Sequence, residues 1–433
     1  MSAQLIGVAA SLGLVVLIFL RVPVAIALLT VGTLGYALVD GLRPALFTLG
    51  TTPFDLAQAY SFSVVPLFLL MGVVMSRTSI AREMFDAFNA LVSGRRGGLA
   101  VATVGACAGF GAVCGSSLAT ASTMTRVCIP EMRRLGYSDA VASGVVASGG
   151  TLGILIPPSI VLIIYAIVAQ ESVPALFAAA LLPGLLLAAL HVVVVAGLAR
   201  IVPDQLPAGD RMDWGERLAA VIGMWKMLLI FALAVGGIYL GWFSPTEAAS
   251  VGAALAIAIG FLTRELTLAT LADAVRETVT ISGALFAIIL GALMFGYFMV
   301  QSRIPATLGD WITAQDLAPV MVILFFVVVY LVLGCFLDTI SMVLITVPVF
   351  LPIIVELGYS AVWFGILVLL AAEVGLITPP VGLNIFVIRA QQKDIPLGTI
   401  YRGILPFLLA HLAAVGLLVA WPALALWLPS VLY

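Results

Sequence analysis

Eight stretches of this chain, roughly 4–20, 23–39, 62–76, 174–199, 226–242, 245–262, 279–300 and 398–427, are apolar runs with almost no charge. A hydrocarbon core about 30 Å thick needs about 20 apolar residues per helical crossing. The runs therefore read as membrane helices. Composition agrees: of 433 residues, 63% are hydrophobic and only 9% charged, against about 25% charged in an average soluble domain. So few charges cannot cover a soluble surface, which excludes a soluble enzyme. With 19 basic against 21 acidic residues, no strong field attracts a polyanion, and a nucleic-acid partner is excluded as well. The expected fold is an all-α polytopic protein in a lipid bilayer.

Charge placement orients it. Let Met1 lie outside, each clean run cross once, and each of two broken regions, about 98–170 and 319–392, hold a re-entrant hairpin plus one crossing. All 19 basic residues except Arg43, Arg126 and Arg303 then face the cytoplasm. That is the positive-inside pattern, and it predicts that both termini are periplasmic. The N-terminus has no basic segment before its apolar run, so no cleaved signal peptide is expected. The stretches 40–60, 77–96, 200–220, 263–277 and 301–318 carry most charges and read as loops or interfacial helices. Within them Ile80–Val92 alternates at helical spacing, as a helix lying along the membrane surface does.

The sequence repeats itself at an offset of 222 residues. Pro130–Ser138 aligns with Pro352–Ser360, Gly153–Pro158 falls without a gap on Gly375–Pro380, and Pro23 falls on Pro245. Loop charge differs between the copies. Residues 77–96 hold Arg77, Arg82, Arg95 and Arg96, whereas 301–318 hold Arg303 with Asp310 and Asp316. Opposite charge bias on equivalent loops predicts an inverted-topology repeat, 1–212 and 213–433, as in secondary transporters with a site at the bilayer midplane.

The broken regions carry the chemistry. Gly109–Ser117 has glycines and serines suited to a hairpin tip, and its counterpart places Asp338 and Thr339 where Ser116 and Ser117 stand. Non-helical backbone at membrane depth is tolerated only where protein or a wet cavity satisfies it; close packing through small residues is the competing explanation. Pro157-Pro158 and Pro379-Pro380 bar helix before them and free upstream carbonyls. Carbonyls with Ser/Thr hydroxyls suit Na⁺. Proton coupling would use chains of intramembrane acids and histidines, and the acids here are few: Glu131, Glu247, Asp338 and Glu373. Arg126 either neutralises a substrate carboxylate or braces the hairpin through Glu131 or a carbonyl. Asn384 either orients a ligand or recaps freed backbone. His191 and His411 read as packing histidines, and Cys107, Cys114, Cys128 and Cys335 as buried packing residues with no metal-ligand spacing. A serine hydrolase fails for want of a base near Ser116; a channel with carbonyl-lined re-entrant loops is the other rival.

Gly115-Ser116-Ser117-Leu118-Ala119-Thr120-Ala121, Pro130-Glu131-Met132-Arg133-Arg134, Gly149–Ser159, Pro245-Thr246-Glu247-Ala248-Ala249, Leu337-Asp338-Thr339 and Gly375–Asn384 resemble the large membrane subunit of tripartite ATP-independent periplasmic (TRAP) transporters. The resemblance covers essentially the whole chain. It implies a sodium-driven importer of organic acids with an elevator-type fold of two hairpins and two broken helices. It also implies a small four-helix membrane subunit, expected as a separate polypeptide, and a periplasmic substrate-binding protein. Carried over, one sodium site uses Ser116 and Ser117 with Gly153, Ile156 and Pro158; the other uses Asp338 and Thr339 with Gly375, Thr378 and Pro380. Gly115, Thr120, Arg126 and Asn384 are the candidate substrate contacts. The runner-up is a stand-alone sodium-coupled dicarboxylate carrier of the same inverted-repeat fold.

Overall fold

A computed structural model describes residues 2–315 and 317–433; Met1 and Asp316, which entered the orientation and loop-charge arguments, lie outside them. Apart from one isolated bridge between Arg96 and Ala208, the described secondary structure is helical. It opens with α1 (Ala3–Phe19), α2 (Val24–Asp40), α3 (Leu42–Gln58), α4 (Val64–Ser76) and α5 (Ile80–Val92). The first broken region forms α6 (Gly98–Cys114), α7 (Ser117–Arg134), α8 (Asp139–Leu155) and α9 (Ile160–Ala169), followed by α10 (Val173–Ile201). Then come α11 (Trp214–Gly223), α12 (Trp225–Phe231), a π turn, α13 (Gly237–Tyr239), α14 (Pro245–Leu262), α15 (Leu268–Ser302) and α16 (Ile304–Ala314). The second broken region forms α17 (Pro319–Gly334), α18 (Thr339–Glu356), α19 (Ala361–Leu376) and α20 (Leu383–Gln391), and α21 (Leu397–Ala420) and α22 (Ala423–Leu432) end the chain.

Five helices, α10, α14, α15, α18 and α21, are long and apolar enough to cross a membrane, and three bent pairs, α8–α9 among them at 43°, pass together. Several boundaries depart from the sequence expectation. α15 starts inside the stretch 263–277 because Thr267 and Thr270 form a capping box there, a start signal that outranks the nearby charges. The run 398–427 breaks at Trp421 and Pro422, since proline cannot continue a helix. α5 does not present its apolar face to lipid: Ile80, Ala81, Met84, Phe85, Ala87 and Ala90 are buried against α6 and α11. Its start is clamped by the buried Lys226, whose Nζ donates to Glu83 at 2.6 Å and Glu265 at 2.5 Å. Burial pushes the Glu265 carboxyl up, but hydrogen bonds from Lys226 and Ser79 outweigh it and hold the group below its ordinary value.

α2 and α15 are packed through small residues, the usual device where no hydrophobic effect drives association. A methyl built on Gly291 would lie 2.7 Å from the Ala25 carbonyl. Around the broken regions the helices α8, α19 and α21 set directions. Gly144 meets Gly403 and Thr151 meets His411, so α8 and α21 run the same way. Trp363 at the start of α19 donates to the Leu418 carbonyl at 3.1 Å near the end of α21, so α19 runs against both.

Candidate cation and substrate site

Each broken region turns through a tip that lies on its own double-proline segment. In the first, α6 stops at Gly115, whose φ of 63° is the left-handed conformation glycine adopts without cost. Ser116 then caps α7 by accepting from the Ala119 amide at 3.4 Å, and its carbonyl accepts from Thr120 Oγ1 at 2.8 Å. A methyl built on Gly153 would lie 2.9 Å from Gly111 Cα, and one on Gly115 would lie 3.0 Å from the Pro158 carbonyl. The second tip repeats the design. Asp338 caps α18 by accepting from the Ser341 amide at 3.1 Å and its hydroxyl at 2.5 Å, and a methyl built on Gly334 would lie 2.9 Å from Gly375 Cα. Cys335 Sγ reaches the Pro379 carbonyl at 3.4 Å. Both double prolines contain a cis peptide bond.

The two tips meet at one cavity of about 390 Å³, walled on the other side by α4 and α15 and lined by Gly115, Ser116, Ser117, Arg126, Asp338 and Thr339. Both expected clusters are thus brought together, each tip with its own double-proline segment. Some of their groups are already engaged. Thr378 Oγ1 donates to the Val374 carbonyl at 2.5 Å, and Tyr401 donates to the Pro380 carbonyl at 2.8 Å. Ile156 is the buried C-cap of α8.

Arg126 lines the cavity, is exposed, and forms no hydrogen bond or ion pair with any described residue. Its suggested brace is taken: Glu131 pairs with Arg134 at 2.6 Å. Thr120 and Asn384 do not line this cavity. Thr120 is spent on the tip, and Asn384 Nδ2 donates to the Ala147 carbonyl at 3.2 Å, joining α20 to α8. Two of the four acids assigned to the membrane have ordinary duties at helix ends. Glu131 is half of an i,i+3 pair, and Glu247 closes a capping box with Ser244 on an exposed helix start.

Sequence reasoning missed one further group and left another without a role. Glu277 on α15 lines the cavity and pairs with Arg77 at 2.6 Å; reading 263–277 as a loop hid it. Glu373 is completely buried and its Oε1 accepts from Thr339 Oγ1 at 2.8 Å. An acid in an otherwise apolar run, two residues before Gly375, was the signal for it. His191 and His411 are buried as expected, and they are each other's partner at 3.3 Å, with His411 also on Thr151 at 2.8 Å and the Phe407 carbonyl at 2.9 Å. The four cysteines are free and buried.

Over residues 12–424 the chain matches the family model described as Tripartite ATP-independent periplasmic transporter, DctM component. The chain belongs to this family. It is 39% identical over 378 residues to the C4-dicarboxylate TRAP transporter large permease protein DctM of Pseudomonas aeruginosa, covering 87% of this chain and 88% of that one. It is 32% identical over 427 residues to the Ectoine TRAP transporter large permease protein TeaC of Halomonas elongata, covering 98% of each. The solved YdaH transporter of Alcanivorax borkumensis matches with a TM-score of 0.68 over 89% of each chain at 17% identity, a likeness of fold. As a DctM component the chain is a multi-pass large permease of a TRAP-type secondary transporter, and its relatives are permease subunits, not enzymes.

Proposed function

We propose that this permease is the large transmembrane subunit of a sodium-coupled, binding-protein-dependent importer of organic acids across the bacterial inner membrane, with both termini periplasmic. In this reading it works with a small four-helix membrane subunit and a periplasmic binding protein that delivers the acid. Residues 1–212 and 213–433 are inverted repeats; the opposite run of α8 and α19, which are equivalent at the 222-residue offset, supports this. The hairpins and broken helices move as an elevator against a scaffold that includes α2, α4, α14 and α15.

The observation that carries the reading is the single cavity where both tips meet and an unpaired guanidinium waits. The groups present fit sodium: hydroxyls of Ser116, Ser117 and Thr339, the Asp338 carboxylate, and backbone carbonyls of the Gly153–Pro158 and Gly375–Pro380 segments. A buried Glu373 oxygen without a hydrogen-bond partner among the described residues adds an uncompensated acceptor beside them. Sodium would supply positive charge at the tips and so link its own gradient to the tip conformation. Ser116 and Asp338, as caps, fix the helix starts that close over it. Gly115 and Arg126 face the substrate, Arg126 as the carboxylate partner, while Thr120 and Asn384 hold the backbone around it.

The test is uptake in vesicles reconstituted with both partners. Uptake should require an inward sodium gradient and the binding protein. Arg126→Gln should raise KM about tenfold or more, as loss of a charge-assisted hydrogen bond does, with unchanged folded yield because the side chain has no partner among the described residues. Uptake indifferent to the sodium gradient overturns the coupling; uptake without the binding protein identifies a stand-alone carrier instead.

A further inference from the structure

Glu373 stands in the last turn of α19 at 0% exposure. Thr339 of the second tip donates to its Oε1 at 2.8 Å. Ser117 of the first tip faces the same carboxylate without completing a hydrogen bond, so Oε2 has no partner among the described residues. Nor does any described lysine or arginine lie within ion-pair distance of it. A carboxylate in so apolar a place is costly unless donors or cations come to it. Thr339 reaches it from the second half of the chain, and Ser117 faces it from the first.

We propose that Glu373 is a positioning residue shared by both sodium sites, orienting the hydroxyls of Ser117 and Thr339 and thereby coupling occupancy of one site to the other. The inference rests on the sodium reading above. A hydroxyl has one proton and two acceptor lone pairs. While its proton points to Glu373, both lone pairs are left for a cation. An ionised carboxylate accepts from two sides, whereas an amide accepts only through its oxygen and donates through its nitrogen. Glutamine at this position therefore serves one tip and claims the lone pair of the other. Glutamate alone of the two serves both. The cation that binds first fixes the carboxylate, and the second then meets a hydroxyl already turned toward it.

Radioactive sodium binding to the purified permease with its small subunit in lipid nanodiscs tests this without transport. The wild type should bind two sodium ions with positive cooperativity. Glu373→Gln should weaken one of them about tenfold, as loss of a hydrogen bond to a charged group does, and abolish the cooperativity. Thr339→Val should weaken the second site, and adding Glu373→Gln to it should cost that site nothing more, the non-additivity of a residue acting through another. An unchanged isotherm for Glu373→Gln, or strictly additive losses, overturns the inference and leaves the sodium reading standing. A wild type that binds no sodium overturns both. Should Glu373→Gln fail to fold, infrared spectra decide: sodium should shift a carboxylate stretch in the wild type and not in Thr339→Val, and a shift absent from the wild type or equal in both overturns the inference.

Discussion

At equivalent positions of the two broken helices, 222 residues apart, stand Thr151 and Glu373. Both are completely buried, yet they are wired in different directions. Thr151 turns into the packing, to His411 at 2.8 Å and through it to His191. Glu373 turns toward the tips, to Thr339 at 2.8 Å. The backbone around them has not diverged in this way: Gly153 on Gly111 and Gly334 on Gly375 make the same close approach, and Ser116 and Asp338 both cap the helix after the tip. Close backbone packing tolerates little change of volume, so the duplicated scaffold was held. Polar side chains need only partners, so each half found its own.

The strongest way to break this comparison is to fill the shared contact. Gly153→Val and Gly334→Val each force side-chain atoms against a backbone Cα. Tolerated overpacking costs about 1–3 kcal/mol, and here two helices must separate, so folded protein should be lost to a similar degree from both variants. Size-exclusion profiles of fluorescent fusions measure it. A normal yield from one variant alone would show that the halves are not packed alike.

A middling effect sharpens the difference in wiring. Thr151→Val keeps the shape but leaves His411 Nε2 without its hydroxyl, which should lower stability by about 1–2 kcal/mol and leave the sodium-binding isotherm where it was. Thermal unfolding and sodium binding on the same preparation separate the two readouts. A moved isotherm would place the first half's polar network in the site after all.

The smallest effect concerns how the halves are joined at one end, where Arg133 pairs with Asp139 and with Asp394 at 2.6 Å each. The Arg133 hydrogen bond holds the Asp394 carboxyl below its ordinary value. With the folded value below an unfolded one near about 3.9, this stabilisation is present above the unfolded value and lost as pH falls through the folded one. Asp394→Asn should lower Tm slightly at neutral pH, as expected of an exposed pair, and narrow its gap to the wild type in acid. A gap that widens in acid would reverse the assignment.

Reading the chain alone reached far into the fold because membrane helices declare themselves locally. Apolar length gives the crossings, glycine and proline give the breaks, and a duplication shows as offset identities such as Gly153–Pro158 on Gly375–Pro380. The tip residues Ser116, Ser117, Asp338 and Thr339 were legible for the same reason, as polar groups where apolar ones belong. Helix starts were less so. Glu247 read as an intramembrane acid until its partner Ser244 was placed, and α15 began earlier than its charges suggested.

What only the tertiary structure decided is which polar group faces which. Sequence could not separate a bracing Arg126 from a free one, because that depended on Glu131 being taken by Arg134. It read His191 and His411 as packing histidines but could not bring them to 3.3 Å. It counted Glu373 among the acids without revealing that the Thr339 hydroxyl of the second tip bonds to it. Periodicity and offset are properties of neighbours along the chain and survive in one dimension. Hydrogen-bond partnership between residues 34 positions apart, as for Thr339 and Glu373, or 260 apart, as for Thr151 and His411, exists only once the helices are packed.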